Sequence, residues 1–290
     1  MAAAYELSGK KGVTAIVALV FGAPVCFLLC GAYAFVNVKN PSVYLALIAW
    51  FLFLMALSKV AKTVTRLGRC RNVMTATRVG LGLGLLALYM SWAFFCDVLV
   101  AQSELESPGI LGWLVSPALV FEFASVLAED GWFELFEFQI SGWFLWTLWV
   151  IEGAGVVCAG VVGARDALHE AVYCESCNRW AKAMGYDKRL SIGEDVSIAE
   201  RAAEGDVDGL FQLSESLGDE SPHLRLNLTV CSGCETTSTL DIDLVTLEED
   251  GKGNLKENSE DFSPVFVLTP AQLGAFKRSA FGHAGGDAEA

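Results

Sequence analysis

Basic residues are missing from a long internal stretch of the sequence. Between Arg78 and Arg165 there is no lysine, arginine or histidine. Residues 165–290 do contain basic residues, but 24 acidic residues outnumber 11 basic ones there. Such an acidic region should not attract nucleic acid or anionic lipid through charge alone. We therefore expect no nucleic-acid partner.

The common catalytic sequence motifs are also absent. The chain has no phosphate-binding loop, no nucleophile elbow, no H-E-x-x-H zinc motif and no dinucleotide-binding fingerprint. No internal repeat of solenoid period is visible either. These absences favour a role other than catalysis, although they do not identify one.

Apolar residues are abundant and concentrated in the first half of the chain. Hydrophobic residues make up 53% of the sequence, above the roughly 45–50% usual in soluble domains. A membrane-spanning helix needs about 20 apolar residues. Four stretches meet or approach this length, at residues 13–35, 42–57, 79–100 and 142–163. We predict a four-span α-helical membrane domain at 13–164, preceded by a short N-terminal segment at 1–12.

The placement of lysine and arginine predicts the orientation of these spans. Lys10 and Lys11 precede the first span, and basic residues return immediately after the fourth. The connection at residues 58–78 contains no acid and six basic residues: Lys59, Lys62, Arg66, Arg69, Arg71 and Arg78. Because basic loops stay on the cytoplasmic side, we expect an integral membrane protein with both termini cytoplasmic, in a bacterial inner membrane.

Two alternatives to this topology remain open. Ala32-Tyr33-Ala34 matches a signal-peptide cleavage pattern, although the apolar segment before it is long for a signal. Residues 109–128 are nearly apolar and could form a fifth span, or an interfacial or re-entrant helix. Ser116-Pro117 favours a short helix that begins there, with proline at its first position.

The outer connection, residues 101–140, is acidic and aromatic. One interpretation is a loop that follows the charge rule, with Trp132, Trp143 and Trp146 at the membrane interface. The alternative is an acidic mouth that collects cations. Its acidic residues are Glu104, Glu106, Glu122, Glu129, Asp130, Glu134 and Glu137.

Glu152 lies near the centre of the fourth span. A carboxylate inside a bilayer is costly and is a functional candidate by default. The spans contain no basic residue that could pair with it, so we expect a protonated acid that needs a hydrogen-bond partner. Tyr89, Ser91 and Trp50 lie at comparable depth. Glu152 is therefore either a proton or cation relay, or a neutral anchor that fixes helix register.

Small residues predict where the third and fourth spans pack. Gly155, Ala159 and Gly163 follow one another at i+4 spacing on the fourth span, and Gly80 and Gly84 do so on the third. Small residues at this spacing allow helix backbones to approach closely. We expect close packing of these two spans, and such faces also permit a homo-oligomer.

Four cysteines form two C-x-x-C pairs in the second half: Cys174 with Cys177, and Cys231 with Cys234. Residues 223–230 and 239–247 alternate apolar and polar residues, so a strand is predicted on each side of the second pair. Strand, knuckle and strand are the parts of a zinc ribbon, and four thiolates suit one structural zinc ion per chain. A thiol–disulfide pair and unconnected thiols are the alternatives.

The remainder of this half is predicted to be a small α+β cytosolic domain at residues 165–280. The 53 residues between the two cysteine pairs exceed the usual spacing, and we expect a helix at about 197–217 within them. Thr269-Pro270 should begin a second helix. The glycine-rich residues 281–290 are expected to be a disordered tail.

The segment "GWFLWTLWVIEG" followed by a C-x-x-C domain resembles multi-span bacterial membrane proteins that end in a zinc-ribbon-like double C-x-x-C domain. The resemblance covers about residues 110–180 and the second cysteine pair, and it implies no activity. Three functions follow as hypotheses: a membrane anchor for a zinc-stabilised domain that binds another protein, a small transporter or channel component that uses Glu152, or a membrane redox protein that uses the C-x-x-C pairs.

Overall fold

The computed structural model describes residues 1–39, 42–103, 106–135, 138–192, 196–216, 221–249 and 255–281. The chain divides into two compact units. The helical unit comprises Ser8–Glu170. The sheet unit joins the first residues, Met1–Leu7, to Ala171–Ala290. The predicted division into long apolar helices and a separate β region that holds the cysteines is confirmed at this level.

The helical unit contains seven α-helices, one π-helical turn and one small hairpin among its described residues. In chain order they are α1 (Thr14–Val17), the π-helical turn (Ala18–Gly22), α2 (Ala23–Lys39), α3 (Val43–Leu67), α4 (Val73–Gln102), α5 (Gly109–Val115), α6 (Pro117–Asp130), the paired strands β2 (Phe133–Leu135) and β3 (Phe138–Ile140), and α7 (Gly142–His169).

Four helices are long and apolar enough to cross a membrane: Thr14–Lys39, which joins α1, the π-helical turn and α2, together with α3, α4 and α7. Each extends beyond its predicted apolar stretch. Helix α3, for example, continues to Leu67 through three basic residues, because lysine and arginine are good helix formers. Helix α4 begins six residues before its apolar stretch, where the Asn72 side chain accepts a hydrogen bond from the Thr75 N–H at 2.8 Å.

The π-helical turn has an identifiable cause in the sequence. Pro24 has no N–H to donate, and its ring would clash with the carbonyl group of Val20 in a regular α-helix. The turn Ala18–Gly22 lies immediately before it, and such turns are a known way to accommodate a break in the hydrogen-bond ladder. The first long helix is therefore continuous through its proline.

Helices α5 and α6 meet at Ser116 with a bend of 99°. Pro117 is the first residue of α6, as the Ser116-Pro117 pattern predicts. Neither helix alone has the length of a membrane span. The two together have the length and apolar content of one, but the bend lies between them. Residues 109–128 are thus a broken helical pair rather than one straight helix.

Among its described residues, the sheet unit contains a six-stranded sheet, a separate two-stranded pair, two α-helices and one 3₁₀ helix. Its elements are β1 (Ala3–Ala4), β4 (Tyr173–Cys174), β5 (Arg179–Trp180), β6 (Lys182–Ser191), α8 (Val196–Ala203), a 3₁₀ helix (Val207–Gln212), β7 (His223–Val230), β8 (Ser238–Glu249), β9 (Leu255–Asp261), β10 (Phe266–Val267) and α9 (Pro270–Phe281).

Five strands of the sheet lie in the order β1-β10-β8-β7-β6, and the sixth strand, β9, pairs with β8. All of these pairs are antiparallel. Strands β7 and β8 align Leu224 with Leu244 and Leu226 with Ile242. The predicted alternation is real, because every second residue of β7 is buried. These side chains form one apolar core with Leu190, Leu210, Leu240, Phe266 and Phe276.

The N-terminal residues form part of this sheet, which the sequence did not predict. Ala3 and Ala4 pair with Val267 and Phe266 of β10. The Ala2 N–H donates to the Gly205 carbonyl at 2.7 Å, and the Tyr173 N–H donates to the Tyr5 hydroxyl oxygen at 2.9 Å. The two ends of the described chain thus fold together in one unit.

The insert between the cysteine pairs differs from its prediction. A single helix over 197–217 is wrong: α8 ends at Ala203, and a 3₁₀ helix follows from Val207. Gly205 interrupts the helix with a φ of +101°, and a Cβ there would lie 2.8 Å from the Ala2 carbonyl oxygen. The helix predicted at Thr269-Pro270 is present, and Thr269 and Gln272 cap it reciprocally. Residues 282–290 of the predicted tail lie outside the described residues.

Candidate functional site

The four predicted cysteines come together in the sheet unit. Cys174 ends β4, and Cys177 lies in the turn that joins β4 to β5. Cys231 follows directly after β7, and Cys234 lies in the turn before β8. Two turns therefore each supply one buried and one half-buried thiol, although 53 residues separate them in sequence.

The distances suit a tetrahedral metal site. The four Sγ atoms lie within 4.8 Å of one another, and Cys174 Sγ is 3.5 Å from Cys234 Sγ. Zinc–sulfur bonds of about 2.3 Å would place the sulfurs of a tetrahedral site about 3.8 Å apart. The cluster therefore has the size and donor set for one ion that prefers thiolates.

Hydrogen bonds to the second cysteine pair favour its thiolate form. The Thr236 hydroxyl, 2.9 Å from Cys234 Sγ, is the main cause that lowers the pKa of Cys234 to about 6. The backbone N–H groups of Gly233 and Cys234 lower the pKa of Cys231. Hydrogen bonding to Cys234 instead raises the pKa of Cys177, to about 12. A cation would replace that shared proton, because metal ligands bind as thiolates.

Neighbouring residues keep the two turns in close contact. Gly233 is required by space, since a Cβ there would lie 2.9 Å from Cys177 Sγ. The Thr237 hydroxyl donates to Cys174 Sγ at 3.2 Å. The Glu235 N–H donates to the Cys231 carbonyl at 3.0 Å and closes the second turn. These contacts around the ligands hold the thiols in place in the way expected of a structural metal site.

No histidine belongs to this cluster within the described part of the chain, in agreement with a site of four thiols. The remaining cysteines lie in the helical unit. Cys26, Cys30 and Cys96 are fully buried, and the Cys30 thiol donates to the Ala87 carbonyl at 3.3 Å. Cys158 is exposed. The three buried cysteines behave as small packing residues.

Glu152 is hydrogen-bonded, but to a partner other than Tyr89. The Tyr33 hydroxyl of α2 donates to Glu152 Oε1 on α7. The Tyr33 ring stacks on Phe53 of α3, with ring centroids 4.5 Å apart. Tyr89 instead donates to the carbonyl oxygens of Trp113 and Leu114, at the end of α5. Tyr33 lies in an apolar span 119 residues away, so sequence spacing gave no signal for this pair.

A cavity of about 940 Å³ within the helical unit reaches Glu152. Helices α2, α3, α4 and α7 line it, together with Gly131 and Trp132 before β2 and Gln139 and Ile140 of β3. Trp50 is part of the lining, and its indole N–H is buried with no hydrogen-bond partner among the described residues. Aromatic side chains dominate the wall: Tyr33, Trp50, Trp92, Phe95, Trp132, Phe144 and Trp149.

The expected contact between α4 and α7 is present, but the structure corrects the α7 residues that make it. A Cβ on Gly80 would lie 2.5 Å from the Gly160 carbonyl oxygen, and one on Gly84 would lie 2.8 Å from the Val157 Cα. Gly155 and Gly163 face α3 instead, where added Cβ atoms would meet Trp50 at 2.6 Å and the Ser58 carbonyl at 2.1 Å. Ala159 is only half-buried. Helix α7 thus carries two small-residue faces, and the i+4 pattern identifies the one against α3.

The acidic outer connection is only partly described. Glu104 and Glu137 lie outside the described residues. Glu122, Glu129 and Asp130 are exposed on α6. Among the described residues that line the cavity, the one acidic residue is Glu152. The described acids of the connection at 101–140 therefore do not line it.

Comparison with protein-family models, with curated proteins and with solved structures finds no match for this chain.

Proposed function

We propose that the chain is a polytopic membrane protein that anchors a zinc-stabilised domain, and that this domain binds another protein. The observation that carries the proposal is the four-cysteine cluster, which joins two distant turns of a small acidic domain. A closed site of four thiolates leaves no open position for a substrate, which is typical of structural zinc. The membrane concerned is, by the resemblance above, a bacterial inner membrane.

Membrane insertion is supported by the outer surface of the four long helices. Large apolar side chains are exposed along them, and a water-soluble protein rarely exposes so much apolar surface. In a bilayer these side chains face lipid. Examples are Leu19, Val20, Leu28, Leu45, Phe51, Leu52, Met55, Val150 and Ile151.

Strand β1 supports an even number of crossings. Its pairing with β10 supports a topology in which the N-terminal residues and the C-terminal domain lie on the same side of the membrane. Four spans satisfy this condition, and a fifth span at 109–128 does not. Cleavage after Ala34 would separate β1 from its sheet.

The basic residues at one end of the helical unit favour the cytoplasm as the side on which the N-terminus lies. Residues 9–13 hydrogen-bond to the loop that follows α3: the Arg71 N–H donates to the Lys10 carbonyl at 2.7 Å, and the Val13 N–H donates to the Gly68 carbonyl at 2.9 Å. Glu170, at the end of α7, accepts from Lys62 and pairs with Arg66. The basic residues of the N-terminus and of the α3–α4 loop thus lie together, as expected of the cytoplasmic side.

The metal part of the proposal is tested by elemental analysis of freshly purified, unchelated protein, together with thiol counting. We expect one zinc per chain and four thiols that become reactive only after chelation. Less than about half an equivalent of zinc would contradict a closed structural site, which should stay filled. Cycling between thiols and disulfides without bound metal would favour a redox protein.

The partner role is tested in intact membranes with a photo-crosslinking amino acid at exposed Asn258 or Ser259 of β9. We expect one discrete adduct with a second protein. Trp143 of α7, which is 77% exposed, provides the control position in the helical unit. An adduct of the same yield from both positions, or none from β9, would contradict a specific partner for the sheet unit.

The second candidate function is transport, and the cavity that reaches Glu152 is the observation that favours it. A transporter or channel component needs a polar group along its pathway, and Glu152 is the acidic group among the described residues that line the cavity. A proteoliposome flux assay separates the two candidates. If cation or proton flux occurs and Glu152→Gln abolishes it, the anchor interpretation is insufficient.

A further inference from the structure

The cavity in the helical unit combines one carboxyl group with an aromatic wall. Seven of its lining residues are aromatic, and Glu152 is the one acidic residue among the described lining. None of those lining residues is lysine, arginine or histidine. An anion would therefore find no positive partner in this wall.

The aromatic residues of the wall are held in place by contacts with one another. Trp92 of α4 meets Trp149 of α7 edge-to-face, with ring centroids 4.7 Å apart. Phe95 meets Trp132 in the same way at 4.9 Å, so residues from two helices and the outer connection form one aromatic cluster. Tyr33 is fixed by its stacking on Phe53 and by its bond to Glu152. A wall held in this way is organised before any ligand enters.

This combination is chemically suited to organic cations. Aromatic faces attract cations, most strongly where water is excluded. A bound cation favours the ionised form of the neighbouring carboxyl group, so Glu152 would supply a specific counter-charge once the cation is in place. The cavity volume of about 940 Å³ lies in the range of small-molecule sites. A hydrated inorganic cation gains little from indole rings, whereas a large apolar cation contacts the rings and the carboxylate together.

We propose that this cavity binds a hydrophobic organic monocation, such as a quaternary ammonium or phosphonium compound, with Glu152 as its counter-ion. The Tyr33 hydroxyl positions the carboxylate, and Trp50, Trp92 and Trp149 contact the cation. The proposal concerns binding, so it does not depend on the zinc site or on the identity of a protein partner. It also goes beyond the transport alternative, because a binding site need not transport.

The test uses two ions of nearly the same shape and opposite charge, tetraphenylphosphonium and tetraphenylborate. Binding to the full-length protein in dodecyl maltoside is measured by equilibrium dialysis, with empty micelles as the blank. We expect saturable binding of the phosphonium ion at one site per chain and at least about tenfold weaker binding of the borate. Equal binding of both ions would mean an apolar cavity for lipid or detergent and would overturn the proposal.

Variants locate the site. Glu152→Gln should weaken phosphonium binding at least about tenfold, since a buried counter-charge is lost. Glu122→Gln, which removes an exposed carboxylate from α6, should leave it unchanged. Trp149→Leu should weaken binding about three- to tenfold, and Trp143→Leu, on the same helix but outside the described lining, should not.

Folding of each variant is checked by circular dichroism and thermal unfolding. If Glu152→Gln does not fold, Glu152→Asp serves as a second variant that keeps the charge. The comparison of the two ions on the unmodified protein then still tests the proposal. Retention of full phosphonium affinity in a folded Glu152→Gln protein would overturn the proposal. Binding without flux in proteoliposomes would contradict only the transport alternative.

Discussion

Where α4 meets α7 in the helical unit, glycines bring the two backbones together, whereas the core of the sheet unit is built from large apolar side chains. Gly80, Gly84 and Gly160 allow α4 and α7 to touch at their backbones. In the sheet unit Leu224, Leu226 and Ile242 fill the interior. The outer surfaces also differ in polarity. Exposed leucines lie along the long helices, whereas exposed charged residues lie on β9.

This difference teaches which force holds each unit together. In the membrane that we propose for the helical unit, burying a leucine between helices would yield little, so association would depend on close backbone packing and hydrogen bonds. In water, burying apolar area contributes about 25 cal/mol per Å², and the sheet unit uses it. The four-cysteine cluster, which could hold a metal ion, would add a further constraint to this unit.

The largest expected effect is on the sheet unit and comes from loss of one metal ligand. Cys231→Ser should abolish zinc binding and destabilise the sheet unit by several kcal/mol, since about 10–16 kcal/mol of apparent binding energy accompanies a structural zinc site. Limited proteolysis and zinc content measure this. Cys158→Ser, at an exposed position of α7, is the control, and a full equivalent of zinc in Cys231→Ser would contradict the site.

The next effect concerns the helical unit and uses two glycines of one helix. Gly80→Ala should destabilise the protein by about 1–3 kcal/mol, because its Cβ would lie 2.5 Å from a backbone oxygen of α7. Gly82→Ala, which meets nothing within 4 Å, should instead stabilise α4 by up to about 1 kcal/mol. Thermal unfolding in detergent measures both. Equal effects would mean that α4 and α7 do not pack as described.

A smaller effect, about 1 kcal/mol, is expected for the Tyr33–Glu152 hydrogen bond. Tyr33→Phe should destabilise the protein, and this loss should disappear in a Glu152→Leu background. Tyr89→Phe should cost a similar amount in both backgrounds, because its partners are the carbonyl oxygens of Trp113 and Leu114. Unfolding in mixed detergent and dodecyl sulfate micelles measures this cycle. Additive effects of the Tyr33 and Glu152 changes would contradict the bond.

The smallest expected effect is a pH dependence in the sheet unit. Burial, with Asp243 and Asp261 nearby, raises the pKa of Asp241 from 3.8 to about 6. The folded state therefore binds this proton more tightly than the unfolded state, and the charged form costs stability increasingly as the pH rises from about 4 to about 6.

Asp241→Asn should accordingly stabilise the sheet unit at pH 7.5, by an amount of the order of 1 kcal/mol after allowance for solvent screening. The gain should be smaller at pH 5. Thermal unfolding at both pH values, compared with the unmodified protein, measures it. Glu248→Gln, at an exposed position of the same strand, is the control, and an equal gain at both pH values would contradict a raised pKa for Asp241.

Local patterns predicted much of the fold. Apolar length predicted four long helices, alternation predicted β7 and β8, and the cap at Thr269 predicted α9. Local patterns could not predict the pairing of Ala3 and Ala4 with β10. A two-residue strand of alanines carries no periodicity, and its partner lies more than 260 residues away. Gly205 ends the helix that was predicted at 197–217, but the backbone that approaches it belongs to the distant residue Ala2.

The candidate sites divide in the same way. The two C-x-x-C pairs predicted the cysteine cluster, because the spacing within each pair fits a single turn that presents two thiols. The partner of Glu152 could not be predicted, because any polar side chain at a similar depth satisfies the same requirement. Rotation of α2, α4 and α7 about their axes places Tyr33 near the carboxyl group and turns Tyr89 toward α5.

By itself, the sequence determined where the four long apolar helices and the strands β7 and β8 lie, and which cysteines come together, because hydrophobic length, periodicity and motif spacing are local properties. Tertiary structure alone decided that the N-terminus completes the sheet, that Gly160 rather than Gly155 meets α4, and that Glu152 opens into an aromatic cavity. These are contacts between distant segments, and they depend on helix rotation and strand order, which local sequence does not encode.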